Sequence, residues 1–367
     1  MRDDRAERVA DILVDYSIGV KEGELVTIRG PFVAEPLLLA LYQRCLERGA
    51  HPLLRPTIPQ SPAVFYRFAK EKQLEYIWEI ERWLVENVDA SFMVIADTNT
   101  RQLSRIDPAK QTIAARARKD LLKRDMERAA AGEHRWNLTM YPTEAHAMEA
   151  QMSLAEFEDF YYSACLIDAD DPVEEWKKIA ARHKRLIEWM KDRNEVHIEG
   201  EGTDLTLEVG ERTWLPADGE ANFPDGEIFT GPVETATNGY VTFTYPAEYG
   251  GQIVEGIRLE FENGRVVDAS ARTNEEFLIK TLDTDEGARV LGEGGIGTNY
   301  GIKEFTGSTL LDEKMGGTVH LAVGASYPES GGKNESSVHW DMVCDLRRGG
   351  RVTVDGDVLL EDGELTA

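Results

Sequence analysis

Six residues in the C-terminal half have side chains and spacing suited to chemistry: Glu227, Glu293, His320, Tyr327, His339 and Asp341. His339 and Asp341 lie two apart in "SSVHWDMV", a stretch that reads as a strand. Successive strand side chains point to opposite faces, so the imidazole and the carboxylate share one face and Trp340 takes the other. Such a pair either holds a metal or makes a hydrogen bond of its own. Oxygen and nitrogen donors without a thiolate suit a catalytic divalent ion such as Zn, Co, Mn or Mg, and are wrong for a structural zinc. Three carboxylates with two imidazoles exceed the needs of one open catalytic ion. They suit two ions ~3.5–4 Å apart that share a bridging carboxylate.

Each residue also has an ordinary reading. Glu227 opens "GEIFTGP" at a turn, where a glutamate is usually just solvated. The glycines around Glu293 in "LGEGGIGTNYG" read as a loop, either plain turns or a phosphate cradle, although no helix opens after them as a nucleotide loop requires. His320, in the strand "GGTVHLAVG", and His339 can be core histidines bonded to backbone carbonyls, and Tyr327 can be a packed aromatic.

The elements that must position these residues fall into two groups. "GELVTIRG", "HPLLRPTI" and "ASFMVIADT" read as strands and alternate with helical stretches, among them "EPLLLALYQRCLERGA" and a long one through "FYRFAKEKQLEYIWEIERWLVEN". This rhythm predicts an α/β domain, an open sheet with flanking helices. Residues 107–131 predict one long helix. "MSLAEFEDFYYSACLI" predicts another, with Ser153 and Glu156 as a capping box, and "PVEEWKKIAARHKRLIEWMKDR" a third, with Pro172 in its first turn. Near residue 195 the period becomes two and glycine rises. "GQIVEGIRLEFENGRVVDASA" predicts a hairpin turning at "NG". The expected division is an N-terminal α/β domain, 1–194, and a β-rich α+β domain, 195–367, that carries the candidate ligands.

Composition narrows the function. At 367 residues with 42% hydrophobic content, the chain has material for two folded domains. The net charge of −26 argues against nucleic acid and against an anionic membrane surface, since both need clustered lysine and arginine. Acids spread along the whole chain, with arginine in excess over lysine, also fit a protein kept soluble in strong salt. No apolar run approaches the ~20 residues of a membrane span. The charged, amphipathic N-terminus lacks the features of a secretory signal, so a cytoplasmic location is expected. The three cysteines form no CxxC pair and predict neither disulfides nor a zinc knuckle.

The string "GEIFTGP … LGEGGIGTN … HLAVGASY … HWD" resembles the metal-binding segments of the aminopeptidase T-like (thermophilic, leucyl-type) metallo-aminopeptidases. "ADILVDYSIGVKEGELVTIRG", "LERGAHPLLRP" and "RWNLTMYPTEAHAMEAQMSLAEFEDFYYSA" extend the likeness over most of the chain. The resemblance implies a two-domain homodimer that removes N-terminal residues from peptides with two divalent ions. It implies metal ligands at Glu227, Glu293, His320, His339 and Asp341, with Glu293 or Asp341 as the bridge. Glu293 would then move the proton, and Tyr327 would serve as ligand or as donor to the oxyanion. The segment between His320 and His339 is shorter than in the best-known members and borders the site, which bears on substrate preference. The alternative is a dihydroxypyridine-type ring-cleaving dioxygenase with one iron on His320, His339 and Asp341. Such a site has no need of Glu227 and Glu293, and both are present.

Overall fold

Alternation of apolar strands with helices in the first part of the chain builds a five-stranded, wholly parallel sheet. A computed structural model describes residues 3–366 and gives its order as His51–Thr57, Leu25–Pro31, Ala90–Ile95, Arg135–Met140 and Asn222–Phe223. The last strand is drawn from the glycine-rich second half, which local sequence patterns did not reveal. Ser153 and Glu156 form the expected capping box, and Pro108–Ala130 and Pro172–Met190 are the expected long helices.

The stretch read as one long helix is three: Ser61–Phe68, Glu71–Leu74 and Glu79–Asn87. Extended backbone at Ala69 ends the first of them. There the Lys110 ammonium donates to the carbonyls of Tyr66 (2.8 Å), Arg67 (3.3 Å) and Ala69 (3.1 Å) and satisfies the acceptors the break leaves over.

The chain divides into two compact units. The first runs to Glu175 and takes in Gly219–Phe223; the second is Trp176–Asp218 together with the chain from Pro224 onward. The sequence reading put its boundary near residue 194. The division lies earlier because Leu186 and Met190, on the helix Pro172–Met190, join the core of the second unit.

The second unit holds an eight-stranded antiparallel sheet and a five-stranded one. The five-stranded sheet has the order His339–Asp345, Thr318–Gly324, Leu291–Gly297, Glu227–Thr230 and Leu215–Ala217. The "NG" hairpin joins Arg258–Glu262 to Arg265–Ser270, with Asn263 (φ 49°) and Gly264 (φ 82°) in the left-handed conformation such a turn demands. One face of the five-stranded sheet contributes Ile228, Ile296, Val319, Leu321, Trp340 and Met342 to a core shared with Val196, Ile198, Leu205, Leu207 and Val352 of the eight-stranded sheet. No helix of the described residues is long and apolar enough to cross a membrane.

Candidate metal centre

The other face of that sheet carries the predicted donors. Cross-strand register pairs Glu227 with Gly297, Gly295 with His320, Glu293 with Ala322, Ala322 with Asp341 and Gly324 with His339. Period-two alternation then sets Glu227, Glu293, His320, His339 and Asp341 on one side of four neighbouring strands. Glu227 is not a solvated turn residue, as its sequence setting allowed. It opens a strand and is 4% exposed. Glu293 is not in a loop either: Leu291–Gly297 is a fully buried central strand, which removes the phosphate-cradle reading. The register slips by one residue between Leu291 and Glu293, a bulge that re-aims the side chain.

The glycines that made this strand look like a loop have a packing reason. A Cβ on Gly295 would stand 2.0 Å from Cε1 of His320, so the imidazole lies directly on the glycine. A Cβ on Gly297 would meet the Met315 carbonyl oxygen, also at 2.0 Å.

His320 is wholly buried between two acids. Its Nε2 is 3.2 Å from Glu293 Oε1 and its Nδ1 is 3.4 Å from Glu227 Oε2. Burial alone would lower its pKa; the carboxylates of Glu227 and Glu293 outweigh burial and hold it at about 10. His183 is the contrast. It is equally buried, its Nε2 meets the Thr298 hydroxyl at 2.7 Å, and desolvation pushes its pKa down to about 4. His320 and His339 differ from it in that carboxylates face their rings. His339 Nδ1 donates to the Ala325 carbonyl at 2.8 Å, which fixes the ring and turns Nε2 toward Glu293 (3.5 Å) and Asp341 (3.4 Å). Burial opposes its charge, and Asp341 raises it to about 9.

The donor set fits a cation. Glu293, His339 and Asp341 each offer a ligand atom, all within 4.8 Å of one another. Glu227 Oε2, His320 Nδ1 and Asp341 Oδ1 are buried and make no hydrogen bond. Polar atoms left in this state cost stability unless another partner satisfies them.

Tyr327 is 47% exposed at the rim, with its ring 5.5 Å from both His339 and Phe229, edge-on. Burial of its hydroxyl, followed by the charges of Glu293 and Asp341, pushes the phenol up. The connection from Tyr327 to His339 is pinned along its length. Glu234 accepts from the Lys333 amide at 2.6 Å, and Asn334 donates to the Gly287 carbonyl at 2.8 Å. Asp285 accepts from the Ser337 amide and hydroxyl (both 2.8 Å) and from the Ser336 hydroxyl (2.7 Å).

Lys314 and its neighbour Glu313 escaped the sequence reading. Lys314 is 2% exposed and its ammonium lies 3.0 Å from Glu227 Oε1 and 2.6 Å from Glu313 Oε2. Burial works against its charge, but the carboxylates of Glu227 and Glu313 hold it protonated. In sequence, "DEK" before a strand looks like an ordinary charged turn, and nothing local marks it as interior.

Residues 2–364 match the model of the thermophilic metalloprotease (M29) family. The chain belongs to that family. This M29 member is 27% identical over 392 residues to aminopeptidase 2 of Geobacillus stearothermophilus, covering 95% of this chain and 94% of that one. It is 27% identical over 404 residues to aminopeptidase T of Thermus aquaticus, covering 97% and 95%. The solved structure of wild-type AmpT from Thermus thermophilus shares its fold, with a TM-score of 0.86 at 23% identity and 99% of each chain covered. None of these relatives is named a dioxygenase, and the M29 assignment leaves that alternative without support.

Proposed function

We propose that this M29 member is a metal-dependent aminopeptidase that removes N-terminal residues from peptides, with Glu227, Glu293, His320, His339 and Asp341 holding two divalent ions. The observation that carries this reading is the cluster of buried carboxylate and imidazole donor atoms on one face of four strands. Zn, Co, Mn and Mg all suit such donors. When bound, a pair of ions supplies Lewis acidity, lowering the pKa of water and polarising the scissile carbonyl.

The protein's own groups do the rest. The Glu293 carboxylate takes a proton from the attacking water and passes it to the leaving amine. The Tyr327 hydroxyl, at the rim beside His339, donates to the oxyanion of the tetrahedral intermediate. Recognition of the free α-amine of the substrate restricts cleavage to the first residue. The fixed connection between Tyr327 and His339 borders the space where the first side chain must lie.

A panel of aminoacyl-p-nitroanilides, assayed with and without chelator, tests this. Hydrolysis should disappear with chelator and return with added Zn, Co, Mn or Mg, and N-acetylated substrates should resist cleavage. Chelator-insensitive turnover, or equal cleavage of the acetylated series, would end the reading. The homodimer implied by the resemblance belongs to the same proposal, as does a cytoplasmic location. Phe68, Trp78, Trp83, Leu122 and Met126 stand exposed on the first unit, a surface suited to a second copy. Light scattering of the purified protein at twice the monomer mass is the expected result.

A further inference from the structure

Among the described residues, Lys314 is the lysine set deepest in the centre, and its two partners are not equivalent. Glu313 neighbours it in the chain, whereas Glu227 is a donor of the candidate metal set. The ammonium takes Glu227 Oε1, so only Oε2 faces His320 Nδ1, at 3.4 Å. The opposite side of the cluster is arranged otherwise. Among the described residues, Glu293 and Asp341 form their ion pairs with imidazoles and form none with lysine or arginine. The ion pairs of the lysine, with Glu227 and Glu313, lie on the Glu227 side of the cluster, which sets that donor apart from Glu293 and Asp341. At a buried site a neighbouring ammonium acts on a divalent ion with little screening by salt.

We infer that Lys314 is a positioning residue that acts as a resident cation and makes the two metal positions unequal. The position at Glu293, His339 and Asp341 is tight. The position at Glu227 and His320 is weak and exchangeable, because Lys314 restricts Glu227 to one oxygen and offsets its charge. This rests on the metallopeptidase reading above.

The test is calorimetric titration of the chelator-stripped, full-length protein with Mn²⁺ alone. Wild type should bind in two phases whose affinities differ at least tenfold. Lys314→Met should tighten the weaker phase at least tenfold and move the tighter one less than threefold. Lys314→Arg, which keeps the charge, should keep the wild-type pattern. His339→Ala should remove the tighter phase, identifying it. Two equal phases in wild type, or a weaker phase that Lys314→Met leaves unmoved or weakens, would overturn the inference. Should circular dichroism find Lys314→Met unfolded, Lys314→Gln replaces it, and the wild-type ratio remains decisive by itself. Wild type that binds no Mn²⁺ at all would instead remove the metallopeptidase reading on which this one stands.

Discussion

The two faces of the five-stranded sheet are made by the same strands, yet they obey opposite rules. On one face Ile228, Ile296, Val319, Leu321, Trp340 and Met342 pack into a continuous apolar core. On the other, a residue away along each strand, stand two glutamates, two histidines and an aspartate, three of whose donor atoms have no hydrogen-bond partner. The apolar face is stabilised by removing carbon from water and tolerates little loss of volume. The polar face carries buried carboxylates and imidazoles paired with one another, with the apolar core behind them. The candidate site stands on the back of a structural layer.

That comparison can be broken by changing one face at a time. On the donor face, Glu293→Gln and His339→Ala should lower kcat/KM on an aminoacyl-p-nitroanilide by about 10³-fold or more, while far-UV dichroism and thermal stability stay close to wild type. A fully active variant would remove that residue from the centre. On the core face, Trp340→Ala should cost about 3–5 kcal/mol in denaturant unfolding, since the indole is 1% exposed and stacks on Tyr249 at 5.3 Å. The folded fraction should keep its metal content; loss of metal at full stability would contradict the division.

Gly295→Ala touches both faces through the backbone. Its Cβ must displace the His320 ring, so about 1–3 kcal/mol of stability and a bound ion should be lost together. Retention of both would mean that the ring can move aside freely.

The smallest effect is expected beyond the sheet, at Asp285. Its folded pKa is about 2, below the ordinary 3.8, chiefly through the Ser337 amide and then the hydroxyls of Ser336 and Ser337. A depressed carboxylate pKa contributes stability that is present above about pH 4 and lost as pH falls toward 2. The Tm gap between wild type and Asp285→Asn should therefore be widest above pH 4 and close between pH 4 and 2. A gap that is constant over that range would remove Asp285 as the anchor of the His339 connection.

Much of this was legible in the sequence because strand parity is a local property. The two-residue spacing of His339 and Asp341 already implied one shared face with Trp340 opposite, and the strand His339–Asp345 has that arrangement. What stayed hidden depended on partners far along the chain. Leu291–Gly297 looked like a loop because its glycines are read as flexibility, whereas Gly295 is small to admit a ring 25 residues away at His320. Lys314 went unmarked because burial of a lysine is decided by which acids converge on it, here one adjacent in the chain and one from the strand Glu227–Thr230. The helix broken at Ala69 is a similar case, since the cap that permits the break comes from Lys110.

Antiparallel pairing with one apolar face and one face of polar donors leaves a mark on how such chains can change length. A single residue inserted inside His339–Asp345 would rotate everything beyond it by half a turn, thrusting an acid into the hydrocarbon layer and an aliphatic chain among the donors. Gains and losses during descent are thereby confined to the joints between strands. The stretch 328–338 is such a joint, and relatives that prefer other peptides should differ there in number of residues while the flanking ladders keep theirs.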